Sequence, residues 1–238
     1  MNRYNQKGFT LIELTLAMGF VSALLLAIAL TTIQIGNTYT RGITLKNVSQ
    51  AGSSLASELQ RSIDQSTPFD VTLPNTNSYV VQKSGNVLIG GRLCIGQYSY
   101  IWNYGLANIK PNLYDNPNSK TQLNFVKVFD PHSDYCKKIP PNNTYKPVDL
   151  NAAVELIDVG QSDLALQSFV INSAASDPRT NQQLYNIEFQ LGSNDQNALT
   201  TDQAGIVSCK PPGVAGSDPA RCSVNQFNIV ALAGNAVE

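Results

Sequence analysis

The chain has 238 residues, 42% of them hydrophobic but only 14% charged, with a formal net charge of −1. About 25% charge is usual for a soluble protein; here 24 Asn, 16 Gln, 20 Ser and 15 Thr stand in its place. This composition argues against a general nucleic-acid binder, which needs clustered Lys and Arg, and against disorder, which needs high charge and low hydrophobicity. It reads as an exported protein. Residues 1–8 are polar and basic through Arg3 and Lys7, and Glu13 is then the only charge before Arg41. Leu14–Thr40 holds 27 uncharged positions, dense in Leu, Ala, Ile and Val as far as Ile35, and about 20 such residues cross a bilayer as a helix. Basic residues before the span and a large chain after it predict a cytoplasmic N-terminus and a body outside.

A secretory signal peptide also begins basic and then apolar, and Ala27-Ile28-Ala29 has the small residues of a cleavage site. The apolar run is longer than the roughly 7–15 residues of such a signal and continues past that site. Glu13 also argues against it. A lone acid costs about 2.5–3.5 kcal/mol at the centre of a membrane helix, less near the interface, and is normally kept because something pairs with it.

Lys7-Gly8-Phe9-Thr10-Leu11-Ile12-Glu13-Leu14 closely resembles the processing signal of type IV prepilins and type II secretion pseudopilins. The resemblance implies cleavage after Gly8 by a membrane-embedded prepilin peptidase and N-methylation of Phe9. It implies that Glu13 pairs with the new N-terminal amine of a neighbouring subunit, while Leu11, Ile12 and Leu14 add apolar contacts in a helix bundle. It further implies that membrane lipid surrounds the helix before assembly and that other pilin or pseudopilin subunits surround it afterwards. The sequence likeness covers about the first 35 residues. Many major pilins carry a proline two-thirds of the way along the apolar helix; here the equivalent position is Leu30 and no Pro precedes Pro68, which favours a pseudopilin or minor pilin.

Beyond the span, Leu45, Val48, Leu55, Leu59 and Ile63 recur at helical spacing among polar residues, and Thr67-Pro68 is a stop. The spacing predicts one helix from Phe9 to about Ser66, roughly 85–90 Å long, whose outer half packs on a sheet. Gly42, Gly52 and the lack of flanking charge pairs argue against a coiled coil. The predicted organisation is therefore a leader at 1–8, a membrane or filament-core helix at 9–40, an amphipathic continuation at 41–67 and a mostly-β head at 68–238. The expected fold class is α+β, a long N-terminal helix on an antiparallel sheet, which is the pilin-like architecture that the resemblance implies. Strands are predicted near Phe69–Leu73, Tyr79–Gln82, Val87–Ile89, Leu93–Trp102, Leu123–Phe129, Val154–Asp158, Ala165–Asn172, Leu184–Leu191 and Val224–Leu232. The pair around Ala165–Asn172 and Leu184–Leu191 reads as a hairpin, and Ala107–Gln122 and His132–Asp149 read as long irregular loops.

Four cysteines in an exported domain read as two disulfides with three possible connectivities; the nearest-neighbour pairing, Cys94–Cys136 and Cys209–Cys222, is the expected one. A zinc site finds no CxxC pair, and the single His132 lies four residues from Cys136 without further ligands nearby. His132-Ser133-Asp134 cannot form a triad, whose members converge from separate elements. No nucleophile elbow, phosphate loop or HExxH occurs, so neither an enzyme nor a cofactor is expected. Asn194, Asp195, Asn197 and Asp202 offer oxygens for calcium, which some pseudopilins use, but without the EF-hand pattern the segment reads as a solvated turn. The size of the head and the segment Arg221–Phe227 resemble minor, J-type pseudopilins and their minor pilin counterparts. That resemblance implies a structural subunit that helps initiate a filament at its tip, in a pilus or a secretion pseudopilus, with no direct nucleic-acid binding. The competing expectation is a single-pass anchored extracytoplasmic binding protein or enzyme that never assembles.

Overall fold

The structure, a computed structural model, describes residues 10–72, 77–84, 87–105, 125–141, 143–149, 151–157, 164–202 and 205–234. One helix, α1 (Leu11–Asp64), runs unbroken for 54 residues, about 81 Å at the helical rise. It ends at Asp64, with Gln65 as its C-cap donating to the Arg61 carbonyl, slightly earlier than the sequence stop predicts. Its buried positions are Val48, Gly52, Leu55, Leu59 and Ile63, four, three, four and four residues apart, the stripe of a helix resting on a flat surface. Leu45, predicted on the same stripe, is 47% exposed because the head begins one turn later.

That surface is two antiparallel sheets. The first takes the order β1 (Tyr79–Ser84), β2 (Val87–Ile95), β3 (Tyr98–Asn103), β4 (Phe125–Phe129) and β7 (Ala153–Glu155). The second has β9 (Gln182–Ser193) between β12 (Val224–Ala233) and β8 (Leu164–Asp177). A parallel bridge between Tyr104 and Leu166 joins them. The α+β class expected from the sequence is thus present, a long apolar N-terminal helix with antiparallel sheets.

Helix and sheets share one core. Its backbone is a file of aromatic rings crossing both sheets: Phe125 to Trp102 (5.6 Å between centroids), Trp102 to Phe169 (4.4 Å), Phe169 to Phe189 (6.4 Å) and Phe189 to Phe227 (5.0 Å). Such offset and tilted pairs add specific attraction to the area they bury. The Phe227 ring then fills the place a side chain on Gly52 would occupy, which lets α1 come down on the file. Beside it, α1 covers the free edge of β12. The Gln60 side chain donates to the Val230 carbonyl, Asp64 accepts from Leu232 N, Ser66 O accepts from Gly234 N, and Asn225 reaches Ser49. An exposed strand edge invites pairing with other chains; here the helix occupies it.

On the far face of the first sheet, residues 131–141 and 143–149 fold over Val80, Cys94, Ile101, Val126 and Val128 as a second small core. This segment, predicted irregular, contains a 3-10 turn at Asp134–Cys136 and a hairpin of β5 (Lys138–Ile139) and β6 (Thr144–Tyr145). Buried Arg92 (1% exposed) ties it down, donating to the Tyr135 and Lys146 carbonyls with its guanidinium over the Tyr145 ring. Asp130 accepts from Ser99 and from the Tyr135 and Asp134 amides. Burial alone would raise the Asp130 carboxyl, but these donors outweigh it and hold it below the usual range.

Other expectations are corrected. Leu93–Trp102 is two strands, since Gly96 at φ +57° turns the chain between Ile95 and Tyr98. Within 69–72 there is no strand: Phe69 exchanges both backbone bonds with the Tyr185 hydroxyl, and Asp70 caps Thr72. Leu73 and Ala107–Gln122 lie outside the described residues. The hairpin of β8 and β9 extends further than predicted, and β10 (Leu199–Thr201) with β11 (Val207–Cys209) forms an unforeseen ribbon. The disulfides are Cys94–Cys136 and Cys209–Cys222. The first fastens the cover of the far face to β2; the second closes the loop between β11 and β12.

Candidate functional site: an uncovered apolar half-helix with one carboxylate

Residues 11–39 of α1 touch nothing that buries them. Leu11 is 81% exposed, Ile12 74%, Leu14 53% and Phe20 69%, and the pattern continues to Ile35. At about 25 cal/mol per Å² of apolar surface, so long a bare face is unstable in water, and α1 is long and apolar enough to cross a membrane. Its serine and threonine hydroxyls are already satisfied. Thr15, Ser22, Thr31, Thr32, Thr38 and Thr40 each donate to a carbonyl three or four residues back, as a hydrophobic medium demands of polar groups.

Glu13 carries the only charge on this half. Thr10 is the N-cap of α1, and with Glu13 it forms a capping box: Glu13 N donates to Thr10 Oγ1 (3.3 Å), while Glu13 Oε2 accepts from Thr10 N (2.9 Å) and Thr10 Oγ1 (2.8 Å). The carboxylate therefore points back along the chain toward its start. Oε1 has no hydrogen-bond partner among the described residues, and neither described ion pair involves Glu13. A carboxylate offers about four lone-pair sites, so a cation can still be received there. Thr10 was not singled out from the sequence, although Thr-x-x-Glu before an apolar run is the signal for this box. Leu11, Ile12 and Leu14 surround Glu13 on the first turn; Gly8 and Phe9 lie outside the described residues.

The head carries a polar cleft of about 360 Å³ between α1 and the turn joining β2 to β3. Its floor is the Lys127–Glu58 ion pair at 2.6 Å, with the Tyr100 hydroxyl 3.0 Å from the same carboxylate oxygen and Lys127 Nζ 3.8 Å from the centre of the Tyr98 ring. Burial alone would raise the Glu58 carboxyl; hydrogen bonds from Lys127 and Tyr100 and the Lys127 charge hold it below the ordinary value. Desolvation, above all, raises the Tyr100 phenol. These groups saturate one another, and the arrangement fastens α1 to β3 and β4.

The remaining sequence candidates do not converge. Asp195 accepts from Asn197 N and Asp202 from Ile206 N, each closing its own turn. Lys137 bonds the His132 carbonyl, while Ser133 turns the chain into Asp134–Cys136 at φ 54°. Among the described residues no three His, Cys, Asp or Glu side chains are grouped to hold a metal. Compared with protein-family models, curated proteins and solved structures, the chain finds no match.

Proposed function

We propose that this protein is a structural, minor subunit of a type IV pilus-like filament, in a pilus or a type II secretion pseudopilus, and not an enzyme. The observation that carries the reading is the division of α1: one half buried on the head, the other bare, apolar and bearing a single carboxylate. Lipid covers the bare half first, and the same half of neighbouring subunits covers it in the filament. Prepilin peptidase cleaves after Gly8, and the amine of Phe9, which is methylated, becomes the new N-terminus. Glu13, fifth in the processed chain, receives the amine of an adjacent subunit. Each charge is costly alone in an apolar medium, and pairing them favours assembly over the isolated subunit. Leu11, Ile12 and Leu14 pack around the pair. The subunit lies with its N-terminus on the cytoplasmic side and its head outside, and acts with other minor subunits where a filament begins.

Two measurements test this. Mass spectrometry of the protein from its native membrane should give a mature chain starting at methylated Phe9; an uncleaved chain, or one cut after Ala29, overturns the reading. Glu13→Ala should abolish incorporation into filaments while leaving membrane insertion intact. Undiminished incorporation overturns the pairing, and a wild-type chain that stays a membrane monomer when the assembly machinery is present identifies an anchored protein instead.

A further inference from the structure

The helix that leaves the membrane also sets how far the head stands above it. From Glu13 to Tyr39, α1 advances 26 residues, about 39 Å, against about 40–45 Å for a bilayer with its headgroups. Tyr39 is 70% exposed, and tyrosine is a residue of the membrane–water boundary. If Glu13 marks one interface, Tyr39 marks the other. The head follows within three turns of helix, at Val48, the first buried residue of α1. Thr40 already faces Leu164, Ser193, Asp195 and Arg221 across a cleft of about 610 Å³. Arg41 and Leu45 face Lys210, Pro211 and Pro212 of the Cys209–Cys222 loop across another.

The chemistry of this lower face is suited to that depth. Arg41, Lys210 and Arg221 make no ion pair among the described residues. The nearby carboxylates are turned to the backbone: Asp195 accepts from Asn197 N, and Asp218 from Ala220 N and Arg221 N. The disulfide holds the two feet of the loop together, and Val214 stands 49% exposed upon it. Cations with no carboxylate partner and an apolar tip on a constrained loop are what an interfacial contact with phospholipid uses.

We infer that the lower face of the head, through Arg41, Lys210, Val214 and Arg221, seats on anionic phospholipid headgroups before the subunit leaves the bilayer. This rests on the reading of α1 as a membrane span.

The test uses the full chain reconstituted in vesicles of phosphatidylcholine and phosphatidylglycerol in which the acyl chains carry bromine, a short-range quencher of tryptophan. Trp102 is fully buried in the core and gives the same background in every variant. Val214→Trp should lose most of its added emission and shift to the blue. Val170→Trp, exposed on the outer face of β8, should be unquenched, and Leu16→Trp, within the span, fully quenched. Pure phosphatidylcholine, added salt, or the double change Arg41→Gln with Arg221→Gln should each restore Val214→Trp emission. If Leu16→Trp is quenched while Val214→Trp behaves like Val170→Trp, the head does not seat and the inference is overturned. Quenching that ignores salt, headgroup and both arginines overturns the phosphate contacts. An unquenched Leu16→Trp means the span itself is wrong, and both readings fall together.

Discussion

The ring of Phe227 on β12 occupies the space that a β-carbon on Gly52 of α1 would need. The glycine is thus a packing residue, the point where the helix is let down onto the aromatic file. In an open helix, Gly→Ala stabilises by about 1 kcal/mol. At position 52 overpacking reverses the sign, and Gly52→Ala should destabilise by about 1–3 kcal/mol. Gly42, with nothing near its missing β-carbon, should show the ordinary gain. Thermal unfolding of the detergent-solubilised chain compares the two, and Phe227→Leu should relieve much of the Gly52→Ala loss. Equal effects at positions 42 and 52 would contradict the contact.

Acid should loosen the seat of α1 on the first sheet. Glu58 has a folded pKa below its ordinary 4.5. Its contribution is therefore complete above the unfolded value and is lost as pH falls through the folded one. Asp130 behaves in the same sense. Melting temperature should drop between neutral pH and about pH 3, and Glu58→Gln should flatten part of that drop, the Asp130 share remaining. An unchanged pH profile in Glu58→Gln would show that the ion pair adds nothing to stability.

Arg92 should be hard to replace. Arg92→Met fills similar space but leaves the Tyr135 and Lys146 carbonyls without this donor, at about 1–3 kcal/mol for each carbonyl that stays dry. The expected readout is faster proteolysis within 131–149 while α1 and β12 stay protected. Arg92→Lys should rescue only in part, because one ammonium cannot reproduce the planar fork.

The two disulfides should differ in worth. Cys94–Cys136 closes a separation of 42 residues and Cys209–Cys222 one of 13, about 4 and 3 kcal/mol in a chain-entropy treatment. Replacing both cysteines of one bridge by serine at a time, followed by denaturant unfolding, should rank them in that order. The Cys209/Cys222 variant should open the lower loop with little effect on the far-face core.

The long helix was legible because its apolar period persists over several turns and nothing in the chain interrupts it. The hairpin of β8 and β9 was legible because both strands alternate, and Glu13 because a single charge in a greasy segment stands out. The division between β2 and β3 was missed, since one glycine, Gly96, makes the turn inside a run of strand-forming residues. The extended segment at Phe69 was mistaken for a strand because its backbone is satisfied by a tyrosine hydroxyl from far along the chain, which no local pattern reveals. β5, β6, β10 and β11 are too short to carry a period at all. Gly52 read as a mark against a coiled coil, and only the ring above it explains its presence.

Three bonds join α1 to β12, at Ser49, Gln60 and Asp64, and a fourth joins Ser66 just past the helix to Gly234 just past the strand; the four follow one another in the same order along both segments. A pull on the lower half of the helix therefore loads them side by side, in shear, and not one after another as in a zipper. Force entering through the stalk is divided among all four and the Phe227 contact before any one must yield. In mechanical terms the head is riveted to its stem along a seam rather than hung from its end.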